Sequence, residues 1–374
     1  MGAGAAISTV APSLAHASLS TAPGEPRLTS EASRPGGPIR LNRNENAYGP
    51  SAKVIATMQE AALTAANRHP EADSEALRHK IAAVHHVTSE QVVLGCGSTE
   101  ILRMAADAFV GPRKKLLVAV PTFDAIGDWA RRAGAEVVAV PLTRNYAHDL
   151  DAMLARSDAA TGLVYICNPN NPTGTLTRRQ DVEAFLHKLP AATWVLIDEA
   201  YHHYAGTSSD YASFIDRPLN DSRVIVARSF SKIYGLGGLR VGYAVAAAKA
   251  ARQLASRALP EDVNIVAART AVTALNDIDH VRLSVKRNDD DRQEFFNQAN
   301  ARMLRAIDSR TNFVMVNAGR PAIDIVEHFK RNNVLIPRPF GGFDTYMRVS
   351  LGTPLEMREF WRVWDLLPAH KMSM

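Results

Sequence analysis

With 374 residues, the chain exceeds what one small core needs and suits one large and one smaller domain. Hydrophobic residues make up 46% and charged residues 22%, the balance of a folded globular enzyme, and no apolar stretch is long enough to span a bilayer. The 43 Lys and Arg exceed the 38 Asp and Glu by a net +5, which suits anionic ligands; the excess forms no basic stripe, which argues against nucleic acid. The two cysteines, Cys96 and Cys167, make no CxxC pair, no metal pattern and no disulfide framework, so no metal is expected and both read as buried thiols.

Residues 1–17 are small and apolar and end in Ala15-His16-Ala17, like an export-signal cleavage site that lacks its basic start. The stretch reads either as the hydrophobic half of a signal, implying a periplasmic protein, or as a plain tail on a cytoplasmic one. Ser, Thr, Pro and Gly dominate 18–38, so 1–38 is expected to be a flexible arm. From 39 onward, strand-like apolar runs at 91–94, 116–120, 137–140, 163–166, 194–197 and 224–227 alternate with helical patterns at 74–84, 98–109, 123–133 and 178–189. Continuous apolar strands are buried on both faces, so this order predicts an α/β domain with a mostly parallel sheet flanked by helices. A long helical stretch over 264–306, broken near 276–279, precedes strands at 313–316 and 346–351 and a helix near 322–332. The expected division is a large domain over 39–262, in which 39–66 can pack on the small one, and a smaller α/β domain over 263–374.

In such sheets ligands bind at the carboxyl ends of the strands, and the unusual residues of this chain fall there. Lys232 follows an apolar strand and lies in Ser229-Phe-Ser231-Lys232-Ile-Tyr-Gly. Burial and a nearby cation such as Arg240 would depress its pKa and make the amine nucleophilic toward carbonyls. Ser229, Ser231 and Arg240 together suit a phosphate. Asp198 ends the strand before Glu199-Ala-Tyr201, placed to pair with a protonated ring nitrogen, with Tyr201 near a ring hydroxyl. Asn168-Pro-Asn-Asn171-Pro-Thr-Gly174 is a rigid, irregular turn that would point the Asn171 amide inward. Gly97-Ser98-Thr99 opens a helix whose free N–H groups form an anion site. Phe123 can stack on a flat heterocycle, and Arg348, inside the apolar strand at 346–351, needs an anionic partner such as a substrate carboxylate.

The order of these motifs along the chain resembles the fold type I pyridoxal 5′-phosphate (PLP) enzymes, in particular the histidinol-phosphate aminotransferases and related class I/II aminotransferases, over about 41–353. The resemblance implies an aspartate-aminotransferase-like fold, a homodimer with shared active sites, and transfer of an amino group from an amino acid or histidinol-phosphate-like amine to a 2-oxo acid such as 2-oxoglutarate. It makes Lys232 the Schiff-base lysine and proton shuttle, and sets Asp198 on the pyridine nitrogen. Asn171 and Tyr201 go to the ring hydroxyl, and Gly97, Ser98, Thr99, Ser229, Ser231 and Arg240 to the cofactor phosphate. Phe123 stacks on the ring and Arg348 takes the substrate carboxylate. Tyr48, in Asn44-Glu-Asn-Ala-Tyr48-Gly, matches a residue that lines the substrate pocket, and Arg338 lies near the Arg that meets a substrate phosphate. His69 stands where the family has a Tyr that reaches the partner subunit's cofactor phosphate; it can still donate a hydrogen bond there. Phe123 replaces the usual Tyr, and acids occupy 261–262. These departures bear on the substrate more than on the cofactor. A PLP decarboxylase or lyase on the same scaffold keeps the same motifs. A PLP-sensing regulator would place a DNA-binding domain where this sequence has only a low-complexity arm.

Overall fold

The computed structural model describes residues 37–206, 208–219 and 221–368, so the export-like stretch and nearly all of the arm lie outside the described residues. The first half runs β1 (Ile39–Arg40), α1 (Ala52–Thr64), α2 (Glu71–His85), β2 (Val92–Gly95), α3 (Ser98–Phe109), β3 (Lys115–Val120), α4 (Ala125–Arg132), β4 (Val137–Pro141), α5 (Leu150–Ala155), β5 (Thr161–Cys167), α6 (Arg179–Lys188) and β6 (Trp194–Asp198). The second half runs β7 (Val224–Ser229), β8 (Gly242–Ala246), α7 (Ala248–Ala255), α8 (Ile265–Asn276), α9 (Ile278–Ala301), β9 (Arg305–Ala306), β10 (Phe313–Asn317), α10 (Ala322–Arg331), β11 (Val334–Leu335), β12 (Tyr346–Ser350) and α11 (Pro354–Asp365).

A seven-stranded sheet in the order β2-β8-β7-β6-β5-β3-β4 organises the molecule. The strands from β7 to β4 are mutually parallel, and β8 alone runs against both its neighbours. Every residue of β5 is buried. The cause is helices on both faces. Leu102 and Met104 of α3, Ile126 of α4 and Leu254 of α7 cover one, and Leu77 and Ile81 of α2, Phe185 of α6 and Ala267 and Ala271 of α8 cover the other. This is why the central strands read as unbroken apolar runs.

A second core surrounds the antiparallel sheet β12-β10-β9, where Phe295, Phe329, Phe360 and Trp361 meet. Leu41 joins it, and β1 pairs in parallel with β11, so the start of the described chain packs on the C-terminal unit. Helix α1 instead lies against α8. The helical stretch expected over 264–306 divides at Asp277 and stops at Ala301; Met303, at φ 58, turns the chain so that Arg305–Ala306 pairs with β10. Among the described residues no helix is long and apolar enough to cross a membrane.

Candidate active site

The loops after β3, β5, β6 and β7 meet the start of α3, the segment 42–45 and β12 around a cavity of about 620 Å³. Lys232, Asp198, Tyr201, Asn171, Ser98, Thr99, Phe123, Ser229, Ser231, Arg240 and Arg348 all line it. Parallel strands deliver their carboxyl ends to one edge of the sheet, and that convergence places motifs far apart in sequence side by side.

Lys232 donates from Nζ to the main-chain oxygens of Asn44 at 3.0 Å and Arg43 at 3.3 Å. Burial lowers its pKa to about 8, and the Arg348 guanidinium is the leading positive neighbour in that direction, ahead of Arg240, which the sequence had suggested. Asp198 is 2% exposed. One carboxylate oxygen accepts from the Ala200 N–H at 3.0 Å and the other from the Tyr165 hydroxyl at 2.9 Å. Burial pushes this carboxyl above the usual range, opposed by those two hydrogen bonds and by Lys232. The Tyr201 hydroxyl accepts from Asn44 Nδ2 at 2.9 Å, which leaves its own proton for another acceptor.

Arg348 reaches the cavity from β12. Its Nη1 donates to Asn171 Oδ1 at 2.6 Å and its Nη2 to the Asn42 carbonyl at 2.9 Å. The guanidinium lies 5.4 Å from the Phe313 ring centre and 5.1 Å from that of Phe340. Its Nε is buried and has no partner among the described residues. With Oδ1 taken by Arg348, the Asn171 amide is turned so that Nδ2 is the group left to donate.

At the other end, Gly97 caps α3 at φ 76 without any side-chain cap; the Glu100 N–H returns to the Gly97 carbonyl, and the Ser98 and Thr99 N–H groups are left for a ligand. A Cβ on Gly97 would collide with the guanidinium of Arg240, and one on Gly242 of β8 would collide with the amide of Ser98. Glycine is required at both places to bring helix start, strand and arginine together. Arg240 Nη1 is steadied by the Gly237 carbonyl at 2.9 Å, and Ser229 Oγ accepts from the Ser231 N–H at 3.0 Å.

Three expected residues are not brought to this cavity. Tyr48 donates from its hydroxyl to Asp291 of α9 at 2.8 Å, under the guanidinium of Arg287. His69 is exposed, with Nδ1 2.6 Å from Glu261, a contact that raises the imidazole pKa. Arg338 is exposed and is not a wall.

Sequence reasoning missed several groups. Tyr165 read only as part of an apolar run, although a hydroxyl inside a buried strand needs a partner. Asn44 holds Tyr201 and sits at φ 53. Glu199, beside Asp198, points the other way: it is 1% exposed, pairs with Arg228 at 2.9 Å and accepts from Ser213 Oγ at 2.7 Å. That ion pair ties the end of β6 to β7 and so fixes Asp198 relative to the Ser229 turn.

A partly neutral amine, a buried carboxylate, two donors for a phenolate oxygen, an uncapped helix start with an arginine, and a buried guanidinium for an anion suit PLP and an amino-acid-like partner. Fold and site together define a PLP enzyme of the α/β type. The chain belongs to the aminotransferase class I and II family, whose model matches residues 37–363. It is thus a PLP-dependent transaminase. A histidinol-phosphate aminotransferase of Symbiobacterium thermophilum is 34% identical over 324 residues, covering 86% of this chain and 88% of that protein. A solved histidinol-phosphate-aminotransferase-like structure from Erwinia carotovora atroseptica matches with a TM-score of 0.83 at 32% identity, covering 88% of this chain and 95% of that one. The histidinol-phosphate aminotransferase of Sinorhizobium meliloti, solved with pyridoxal-5′-phosphate, has a TM-score of 0.82 at 24% identity over 88% of this chain and 91% of that one, a likeness of fold.

Proposed function

We propose that this transaminase takes its amino group from histidinol phosphate or a related amine bearing an anion, passes it to a 2-oxo acid such as 2-oxoglutarate, and works as a homodimer. The observation that carries the reading is Arg348: a buried guanidinium whose Nε lacks a partner, beside Asn171, in the cavity that also holds Lys232. A buried cation with an unused donor calls for an anion, and a carboxylate on the donor's amine-bearing carbon, or a phosphate ester on the carbon next to it, supplies it.

When bound, PLP supplies an aldehyde that takes up the donor's amine and a ring that draws off the electron pair left by the α-proton. Lys232 Nζ, neutral above about pH 8, takes that proton and returns it. Asp198, held by Tyr165 and Ala200, keeps the ring N–H charged. Tyr201 and Asn171 would donate to the phenolate oxygen, Phe123 would cover a ring face, and Gly97, Ser98, Thr99, Ser229, Ser231 and Arg240 would hold the phosphate. Support for the dimer comes from His69: it is exposed and away from its own chain's cavity, and with Nδ1 on Glu261 its other ring nitrogen is the one that can reach a neighbour's.

The test is a half-reaction. Holoenzyme is mixed, without acceptor, with histidinol phosphate and with aromatic, acidic, basic and small aliphatic amino acids, and the absorbance of the bound cofactor is followed. Conversion to the aminated cofactor, fastest with histidinol phosphate, is expected. Release of CO₂ or of an eliminated group without amination would replace the reading with a decarboxylase or lyase.

A further inference from the structure

Thr122, Asp124 and Phe340 each wall two cavities: the catalytic one and a second of about 610 Å³ beside it. Beyond that threshold the second cavity is mainly apolar, with Val120, Leu142 and Phe343 among its walls. Val120 ends β3 with 39% of its surface exposed, a branched aliphatic side chain that folding leaves bare. The cavity's cation, Arg131, is engaged with Asp128 at 3.1 Å.

We infer that this second cavity receives the side chain of the amino donor and favours donors in which that side chain is bulky and mainly apolar. The inference deepens the transaminase reading and rests on it. Its ground is the geometry of a tetrahedral α-carbon. The donor's amine must meet the cofactor near Lys232, its α-hydrogen must face the same amine, and its anion goes to Arg348. One substituent remains. The Phe340 ring lies against the Arg348 guanidinium, so a donor anchored there has Phe340 and its opening next to its α-carbon. Of the other walls of the catalytic cavity, Asp198, Tyr201, Ser98 and Arg240 serve the cofactor, and Asn42, Arg43 and Glu45 are polar or charged, so they offer a bulky apolar side chain little to pack against. A side chain leaving past Phe340 enters the apolar space, where each added methylene finds contact.

Ala139 offers a clean obstruction: it walls only the second cavity, and its side chain is exposed on the edge strand β4, so Phe can be accommodated there without repacking a core. Half-reaction efficiencies are measured for alanine, leucine, phenylalanine and histidinol phosphate with the holoenzyme and its A139F variant. Binding of propionate and 3-phenylpropionate, which carry the anion but no amine, is measured on both by calorimetry. Leucine and phenylalanine should exceed alanine by at least about tenfold, and 3-phenylpropionate should bind correspondingly tighter than propionate. In A139F these advantages should fall at least about tenfold while alanine stays within about twofold. Equal efficiencies for alanine and leucine in the parent enzyme, or an A139F variant that slows all donors alike or none, would overturn the inference and leave the transaminase standing. Amination by no donor at all would remove the transaminase reading, and this inference with it.

Discussion

The floor of the catalytic cavity and its outer candidates are held in opposite ways. On the floor three functional groups are held from distant elements: Asp198 by Tyr165, Tyr201 by Asn44, Arg348 by Asn171 and Asn42. Outside it, His69 meets Glu261 at the surface, Tyr48 turns to α9, and Arg338 is exposed. Buried hydrogen bonds to charged groups are strong and costly to break, whereas an exposed pair is screened and worth little. On the proposed reading, one chain therefore pre-organises the groups for the cofactor's ring and the donor's anion, and the outer residues do not touch that cavity.

The comparison breaks most directly at Lys232. Lys232→Ala should lower the transamination rate at least about 10³-fold, measured by single-turnover absorbance, while the floor still binds cofactor. A rate within tenfold of the parent's would remove Lys232 from the chemistry. Arg348→Ala should raise the donor KM about 10- to 100-fold, as loss of hydrogen bonds to a charged group predicts, with a smaller change in kcat. An unchanged KM would mean that the donor's anion binds elsewhere.

The pH dependence of cofactor capture sharpens the same contrast. Lys232 is shifted down from 10.5 to about 8, so below about pH 8 its amine is protonated and lacks the lone pair that attacks the aldehyde. PLP uptake by the apoprotein, followed by stopped-flow absorbance, should climb about tenfold per pH unit below that point and level off above it. A rise that continues toward 10.5 would mean a solvated lysine.

The smallest effects separate floor from rim. Tyr165→Phe removes one buried hydroxyl donor to Asp198 and should cost about 0.5–1.5 kcal/mol, seen as a weaker hold on the cofactor in equilibrium titration. His69→Ala should change thermal stability of the subunit by no more than about 0.5 kcal/mol. If His69→Ala weakens cofactor binding as much as Tyr165→Phe does, the outer site is coupled to a cavity after all, and a neighbouring subunit is the route.

Much of this was readable in one dimension, for reasons that differ by element. β5 and β6 announced themselves because strands covered on both faces must be apolar throughout, and the chemistry followed directly at Asn171 and Asp198. Arg348 stood out as a charge inside an apolar strand. β8 did not stand out: Gly242–Ala246 is short and rich in Gly and Ala, and its glycine exists to let Ser98 approach. Helix α11 was overlooked although Thr353, Pro354 and Glu356 form a capping box with proline at the first turn, a start signal the sequence carried.

The sequence by itself determined the α/β alternation, the parallel character of the large sheet and the cofactor-binding motifs, because apolar period, turn chemistry and strand-end position are local properties. The tertiary structure alone decided what each functional group leans on. Asn44 reaches Tyr201 across 157 positions, Arg348 reaches Asn171 across 177, and Tyr165 meets Asp198 across 33. No local pattern encodes such pairings. They arise because the strands end at one edge and the C-terminal unit closes over it, so that burial, which sets the Lys232 pKa, comes from residues distant in the chain.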